Sequence, residues 1–259
     1  NSTILIDSWE RFNDDCPQFI QSTIGRYCQY QIKNCSWQGE YGWQKQLLAW
    51  EKQVCDILMQ ESVYSEGTVA KCCVESIDEG GKLFIGNSMP IRDVDMFSLT
   101  SSKKIHIYSN RGASGIDGII SSALGMCNNS NNKNSLLLIG DVSFYHDMNG
   151  LLASRYGANL TIVVINNSGG GIFSFLPIAN SGLENFQQYW TTDTDLKINK
   201  VADLYNCKYY FAENLNEVKK SIRESFKYKG VQIIEVKTSI SKNISAHKRM
   251  SEKVKLALI

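Results

Sequence analysis

The sequence lacks the residue patterns of several common metal, redox and hydrolytic sites. Its three histidines, His106, His146 and His247, lie far apart and form no metal-type cluster or Ser-His-Asp arrangement. We expect His146 to have a structural role at the start of a helix. None of the eight cysteines forms a CxxC pair, and several lie in apolar runs, so we expect reduced thiols in the core of an intracellular protein.

Charge and hydropathy exclude two further kinds of partner. The chain has 27 Lys and Arg against 26 Asp and Glu, a net charge of +1, and no basic tract, so we expect no nucleic-acid partner. No apolar run approaches the ~18 residues of a membrane span. The N-terminus has no initiator Met and lacks the basic and apolar segments of a signal peptide. We therefore expect a soluble chain that is a fragment or a processed piece.

From Val63 onward, short apolar runs alternate with helical stretches. This pattern predicts an α/β fold with an open, mostly parallel sheet and helices on both faces. We divide the chain into residues 1–60, a lead-in or the remnant of a preceding domain, and a main domain of residues 61–259. The predicted strands are 2–7, 82–85, 105–108, 136–139, 160–165, 208–211 and 231–236, the helices are 41–58, 68–78, 114–126, 147–156, 201–205 and 215–226, and a polar turn covers 128–134.

Four of the predicted strands end in polar or glycine-rich sequence. Ligands of open α/β sheets bind at the carboxyl ends of the strands, so these segments should converge on one edge. A dinucleotide-binding enzyme is disfavoured, because no GxGxxG follows the first strand. The four segments are GNSMPIRD (86–93), SNRGASG (109–115), GDVSF (140–144) and NNSGGG (166–171).

Asp141 and Asn167 are the best candidates for metal ligands. A strand, a helix and a strand in succession predict a right-handed crossover that places both residues at the ends of adjacent parallel strands. Carboxylate and amide oxygens suit Mg²⁺, and phosphate oxygens and water fill the rest of its octahedron. The glycines at 169–171 allow the backbone to approach such a ligand closely. The alternative is that both side chains only cap a helix or form a turn.

The Gly-Asp and Asn-Asn pairs resemble the diphosphate-binding motif of thiamine-diphosphate enzymes, with Val142 in place of the usual glycine. Together, the motifs at 86–93, 109–118, 140–151 and 166–177 resemble the branch of that family that acts in menaquinone and phylloquinone biosynthesis. The resemblance extends from Ser65 to the C-terminus. It argues against other decarboxylases and acetolactate-type enzymes of the same superfamily.

The resemblance implies thiamine diphosphate as cofactor, together with Mg²⁺ or Mn²⁺. The metal would be held by Asp141, Asn167 and the backbone carbonyl of Gly169. Ile116 would lie under the bent cofactor and hold its V shape. Asn87 and Ser88 follow a strand and can donate to a diphosphate, although both could simply cap the next turn. The expected cofactor contacts are Asn87, Ser88, Ile116, Asp141, Val142, Ser143, Asn167, Gly169, Gly170 and Ile172.

The resemblance also implies two dicarboxylate substrates, 2-oxoglutarate and isochorismate. Arg92 and Arg111 lie just past two strand ends, and guanidinium groups suit carboxylates, although a loop arginine is usually a solvated charge. The matching arginines of the family bind substrate carboxylates. The expected substrate contacts are Ser88, Arg92, Arg111, Ile172, Phe173 and Leu176, of which the last three would otherwise be core residues.

The implied reaction is a transfer: 2-oxoglutarate loses CO₂, and the succinyl unit adds to isochorismate by 1,4-addition. The family activates its cofactor with a Glu of an N-terminal pyrimidine-binding domain, for which residues 1–60 are too short. We therefore expect no catalytic residue in this chain, which would be a C-terminal part of the enzyme. A homodimer, a homotetramer or a partner chain would supply the missing domain, in the cytoplasm or the plastid stroma. The alternative is a non-catalytic subunit or degenerate domain that binds cofactor or partner.

Overall fold

A computed structural model describes residues 3–9, 16–36, 41–99, 101–127 and 134–258. The chain divides into two compact units, Asn1–Glu51 and Lys52–Ile259. In the first unit, strands β1 (Ile4–Asp7) and β2 (Gln18–Gln21) pair in parallel. Helix α1 (Ile24–Asn34) begins after Thr23, whose hydroxyl accepts from the Arg26 amide, and helix α2 covers Tyr41–Gln60.

The second unit contains a six-stranded sheet in the order β4-β3-β5-β6-β8-β7. Every neighbouring pair is parallel, which confirms the predicted sheet. The central strands β5 and β6 are adjacent, and Gly140 lies beside Ile165. The strands are β3 (Lys82–Ile85), β4 (His106–Tyr108), β5 (Ser135–Gly140), β6 (Leu160–Asn166), β7 (Lys208–Ala212) and β8 (Val231–Lys237).

Helices cover both faces of this sheet, as the sequence predicted. Successive residues of a strand point to opposite faces, so Leu137 and Ile139 of β5 belong to one apolar cluster and Leu136 and Leu138 to the other. The first cluster includes residues of α5 (Ile119–Cys127), α6 (Asp141–Asp147), the 3₁₀ segment Met148–Tyr156 and α7 (Ile198–Leu204). The second includes residues of α3 (Glu66–Ser76), α4 (Met89–Phe97) and α8 (Leu215–Ser225), and the last helix is α9 (Ile240–Leu258).

Two predicted helices begin well away from their observed starts, whereas the starts predicted at 68 and 201 are observed at Glu66 and Ile198. The helix after β5 starts at Asp141 rather than at residue 147, and it continues as the 3₁₀ segment. The helix predicted from residue 114 starts only at Ile119, after Gly118 with φ +64°. The carboxylate of Asp147 caps this later start by accepting from the Ser121 amide at 2.7 Å and the Ser121 hydroxyl at 3.0 Å.

Some elements were not predicted at all. Helix α4 begins inside GNSMPIRD, with Pro90 in its first turn, where a proline is tolerated because it needs no amide partner. Helix α9 was also missed. The polar turn predicted at 128–134 lies, apart from Asn134, outside the described residues.

The eight cysteines, all within the described ranges, form no disulfide. Cys72, Cys73, Cys127 and Cys207 are buried, whereas Cys28 and Cys35 are exposed. The prediction of core thiols is therefore wrong for the last two. In the described ranges, no helix combines the length and the apolar character that a membrane span requires.

The packing of α3 on α4 makes a testable prediction. A Cβ on Gly67 would lie 2.5 Å from the buried Phe97 ring, whereas a Cβ on Gly125 of α5 would meet nothing within 4 Å. Gly67→Ala should destabilise the protein by about 1–3 kcal/mol through overpacking. Gly125→Ala should stabilise it by about 0.5–1 kcal/mol through helix propensity. Urea unfolding midpoints measure both effects, and equal gains in both variants would refute the close contact.

Candidate functional site

A cavity of about 590 Å³ opens at the carboxyl ends of the central strands. Its walls come from the segments that follow β3, β4, β5 and β6, so the predicted convergence of four strand ends is present in the fold. The cavity is large enough for a small-molecule cofactor. The predicted site residues among its lining are Ser88, Arg92, Arg111, Ile116, Asp141, Val142, Ser143, Asn167, Gly169, Gly170, Ile172 and Phe173.

Asp141 stands at the junction of β5 and α6, directly after Gly140, and its side chain is buried. One carboxylate oxygen accepts from the Val142 amide at 2.8 Å, and the other accepts from the Gly169 amide at 2.9 Å. Burial raises the pKa of Asp141 to about 6, although these amide hydrogen bonds oppose the rise. The carboxylate is thus held by both loops, and its charge is poorly solvated without a cation.

Asn167 lies one residue past the end of β6. Its Nδ2 donates to Oε1 of Glu66 at 2.8 Å. Its Oδ1 is buried and has no hydrogen-bond partner in the described part of the chain. A buried acceptor without a partner is costly, and structures keep few of them. A hard cation in the cavity would satisfy this oxygen, so the donor set fits Mg²⁺.

The loop after β6 depends on glycine. Gly169 has φ +137°, and a Cβ on it would overlap the carbonyl oxygen of Thr191. Its amide donates to Asp141, as described above, and its carbonyl accepts from the Gly171 amide at 3.0 Å. A carbonyl has two lone pairs, so this oxygen can accept a second bond. The preceding Ser168 also has positive φ, at +67°. The backbone therefore comes close to the cavity in a conformation that a larger residue at position 169 would not permit.

Two of the predicted site residues, Asn87 and Leu176, are not among the residues that line the cavity. Asn87 is buried, and its Nδ2 donates to the backbone carbonyls of Asn110 and Gly115. Its Oδ1 accepts from Nη1 of Arg111 at 3.0 Å. The side chain therefore ties the loop after β3 to the loop after β4. Leu176 follows the 3₁₀ segment that carries Ile172 and Phe173, and it is exposed.

Two guanidinium groups line the same cavity. Nη1 of Arg92, on α4, donates to the backbone carbonyl of Ser88 at 2.6 Å. Ser88 has φ +71° and ψ −129°, which is strained for a residue other than glycine, and such strain is common at functional sites. Arginine has five N–H donors. Arg92 and Arg111 each use one nitrogen in the protein bonds described here, and the remaining donors are available to an anionic ligand.

Several lining residues were not predicted. Glu66, in the first turn of α3, is buried, and burial raises its pKa to about 8. Glu66 accepts from Asn167, which lies 101 positions away in the sequence, and the helix predicted over 68–78 did not include it. His146 is exposed in the last turn of α6, not at a helix start as predicted. The unpredicted lining residues are Glu66, Met89, Pro90, Ser114, Gly140, His146, Ile165, Gly171 and Thr192.

A buried carboxylate, an amide oxygen and a glycine-rich loop thus lie at adjacent strand ends of a parallel sheet, an arrangement suited to a cation and an anionic ligand. The model of the thiamine pyrophosphate enzyme C-terminal TPP binding domain matches residues 95–236, and the chain belongs to this family. The fold is similar to a benzoylformate decarboxylase structure from Polynucleobacter necessarius, with a TM-score of 0.56. The match covers 67% of this chain and 33% of the decarboxylase chain. At 19% identity, that likeness shows the fold alone.

Within the family, the chain is similar to proteins named 2-succinyl-5-enolpyruvyl-6-hydroxy-3-cyclohexene-1-carboxylate synthase. The Oceanobacillus iheyensis protein is 43% identical over 77% of this chain and 34% of its own length. The Listeria innocua protein is 41% identical over 83% of this chain and 38% of its own length. The Bacillus cytotoxicus protein is 34% identical over 95% of this chain and 43% of its own length. This chain thus spans only about two fifths of the length of such relatives.

The burial of Asp141 predicts a pH-dependent metal affinity. Without metal, the carboxyl takes up a proton as the pH falls through about 6, whereas a metal needs the carboxylate. In the presence of thiamine diphosphate, the affinity for Mn²⁺ should therefore fall by about tenfold per pH unit below that point. Mn²⁺ titrations between pH 5 and 8 measure it.

Two variants serve as controls for this titration. Asp141→Asn should bind Mn²⁺ weakly at every pH and lose the step near pH 6. Asp117→Asn, which changes an exposed carboxylate in the loop of Ile116, should keep the step. A step that persists in Asp141→Asn would assign the titration to another group.

Proposed function

We propose that this chain is the diphosphate-binding part of a thiamine-diphosphate-dependent transferase that acts on 2-oxoglutarate and isochorismate. The reaction would remove CO₂ from 2-oxoglutarate and add the remaining four-carbon unit to isochorismate by 1,4-addition. The observation that carries the proposal is the unpartnered Oδ1 of Asn167 in one cavity with the buried Asp141. The names of the similar proteins support the substrates and a role in menaquinone or phylloquinone biosynthesis.

Residues at two strand ends would hold the metal and the diphosphate. Asp141, Oδ1 of Asn167 and the carbonyl of Gly169 would be the protein ligands of Mg²⁺, or of Mn²⁺ in its place. Bound thiamine diphosphate would supply the carbanion stabilisation that the decarboxylation needs. Other lining residues would contact and orient that cofactor, namely Ser88, Ile116, Val142, Ser143, Gly170 and Ile172.

The two arginines would select dicarboxylates. Arg92 and Arg111 line the same cavity, and their free N–H groups can form charged hydrogen bonds with a carboxylate. Ser88, Ile172 and Phe173 would form the rest of the substrate pocket. Leu176 lies three residues after Phe173 in the sequence and is exposed. We keep Asn87 in the proposal as the residue that fixes Arg111, since it accepts from that guanidinium.

The activating Glu would come from a pyrimidine-binding domain outside these 259 residues. Glu66 is a poor substitute, because it is engaged with Asn167 at the proposed metal end of the cofactor. We propose residues 61–259 as the diphosphate-binding domain, with the other domain supplied by a homodimer, a homotetramer or a partner chain. Exposed apolar side chains close in sequence to Phe173 support such an interface, among them Phe175 and Leu176.

The role of the arginines is testable in a complete enzyme that contains this chain. Arg92→Ala should lower kcat/KM for the dicarboxylate substrates, because a charged hydrogen-bonding partner is lost. The corresponding increase in activation free energy should be on the order of 2–4 kcal/mol. Cofactor affinity should barely change. Steady-state kinetics with each substrate varied, and calorimetry with the cofactor, measure the two effects.

Other arginines serve as comparisons in the same assay. Arg111→Ala should show the same kinetic loss, and it also frees Asn87 from one hydrogen bond. Arg155→Ala, on the 3₁₀ segment, removes an exposed arginine that bonds its neighbour Tyr156, and it should leave both readouts unchanged. An Arg92→Ala enzyme that loses cofactor but keeps its substrate KM would reverse the proposed roles.

A reconstitution experiment tests the proposed function as a whole. The 259-residue chain alone should bind Mg²⁺ and thiamine diphosphate weakly and should not convert 2-oxoglutarate and isochorismate. Addition of a pyrimidine-binding domain that carries the activating Glu should restore turnover. Robust turnover by the chain alone would refute the division of labour. Metal-dependent cofactor binding without turnover in the reconstituted protein would favour a non-catalytic binding subunit.

A further inference from the structure

We propose that Glu66 is a positioning residue that fixes the side-chain amide of Asn167 so that its oxygen, not its nitrogen, faces the metal. The inference rests on the proposed cofactor site and deepens it. Glu66 lines the same cavity as Asn167, but in this role it would touch neither metal nor cofactor. It would act only through the amide that it holds.

The hydrogen bond between these two residues determines which end of the amide faces the cavity. Oε1 of Glu66 accepts from the Nδ2 end of Asn167 at 2.8 Å and also accepts from the Thr238 hydroxyl, so it presents an accepting oxygen to the amide. The Oδ1 end is then left buried and unpartnered, beside the cavity. If the amide turned over, an N–H group would face the cation, and nitrogen with two hydrogens offers no lone pair to a metal.

Glu66 is itself held from two sides. Ser65 caps α3 through a reciprocal pair of hydrogen bonds with Thr68, which fixes the backbone next to Glu66. From the end of β8, the Thr238 hydroxyl donates to the same Oε1 at 3.1 Å. The Thr238 amide donates to the backbone carbonyl of Asn166 at 3.0 Å. The acceptor that orients Asn167 is therefore part of the framework that joins α3, β6 and β8.

The neighbouring asparagine provides an internal comparison. Nδ2 of Asn166 donates to a second buried carboxylate, Oε1 of Glu235, at 2.6 Å. In this case the amide oxygen is satisfied, because Lys237 Nζ and the Ser168 amide each donate to it at 3.3 Å. Two adjacent asparagines thus have the same kind of support, yet only Asn167 keeps an oxygen without a protein donor. The difference indicates that Glu66 holds the amide of Asn167 so that its oxygen is available to a ligand.

A charge effect is the alternative explanation, since a carboxylate near a cation would also attract it. The side-chain length of Glu66 and its charge can be tested separately, because Oε1 accepts both the hydrogen bond from Asn167 and the one from Thr238. Glu66→Gln keeps the length and an accepting oxygen but cannot be ionised. Glu66→Asp keeps an ionisable carboxyl group but withdraws the oxygen by one methylene. Glu235→Asp makes the same shortening beside Asn166 and serves as the matched control.

The experiment measures Mn²⁺ binding in the protein that contains this chain with its pyrimidine-binding domain, in the presence of thiamine diphosphate. Free Mn²⁺ is read by electron paramagnetic resonance, so no turnover is needed. Glu66→Asp should raise the Mn²⁺ Kd by about tenfold or more, as loss of an outer-shell partner does at metal sites. Glu66→Gln and Glu235→Asp should stay within about threefold of the unchanged protein. Thermal unfolding without metal verifies that each variant is folded.

The outcomes separate this inference from the proposed function. An unchanged protein that shows no cofactor-dependent Mn²⁺ binding would refute the proposed site itself. If that binding is present and Glu66→Asp retains full affinity, the positioning role is refuted while the site stands. A loss in Glu66→Gln with full affinity in Glu66→Asp would mean that charge, not orientation, is what Glu66 contributes. Equal losses in both variants would mean that orientation alone does not account for the effect, and either result would overturn the inference. A loss in Glu235→Asp as large as in Glu66→Asp would mean a general effect of disturbing these loops.

Discussion

The parallel pairing of β5 with β6 is the constraint on which the site depends. Gly140 lies beside Ile165, so the residues that follow each strand emerge at the same edge of the sheet. The amide of Gly169 closes the gap between the two loops by donating to the carboxylate of Asp141. A one-residue slip in this pairing would turn each buried side chain of β5 toward the other apolar cluster.

The site is costly for the fold that carries it. Burial raises the pKa values of Asp141 and Glu66 to about 6 and about 8, and Oδ1 of Asn167 is buried without a donor. The ionised forms of both carboxyls, and the bare amide oxygen, are less favourable here than in water. The two apolar clusters that cover the sheet offset this local instability. A bound cation would compensate Asp141 and Asn167 directly, so binding should couple to stability.

The sheet and the crossover could be predicted because short apolar runs and glycine-rich strand ends are local signals. The helix start at Asp141 was missed because GDVSF contains no strong capping residue before it, and Gly140 serves as the cap. Glu66 could not be related to Asn167 from the sequence, since a hydrogen bond across 101 positions has no local pattern. Asn87 was placed on the cavity because its position after β3 is correct, but the side chain bonds Asn110 and Gly115 instead.

The most direct test of the central claim is the position of the metal. Crystals of the protein that contains this chain, grown with thiamine diphosphate and Mn²⁺, allow the metal to be located by its anomalous scattering. The account predicts one Mn²⁺ in contact with the carboxylate of Asp141, Oδ1 of Asn167 and the carbonyl oxygen of Gly169, at about 2.0–2.2 Å, with diphosphate oxygens and water as its other ligands. A metal bound elsewhere in the cavity, or an Asn167 that turns its nitrogen toward it, would contradict the account.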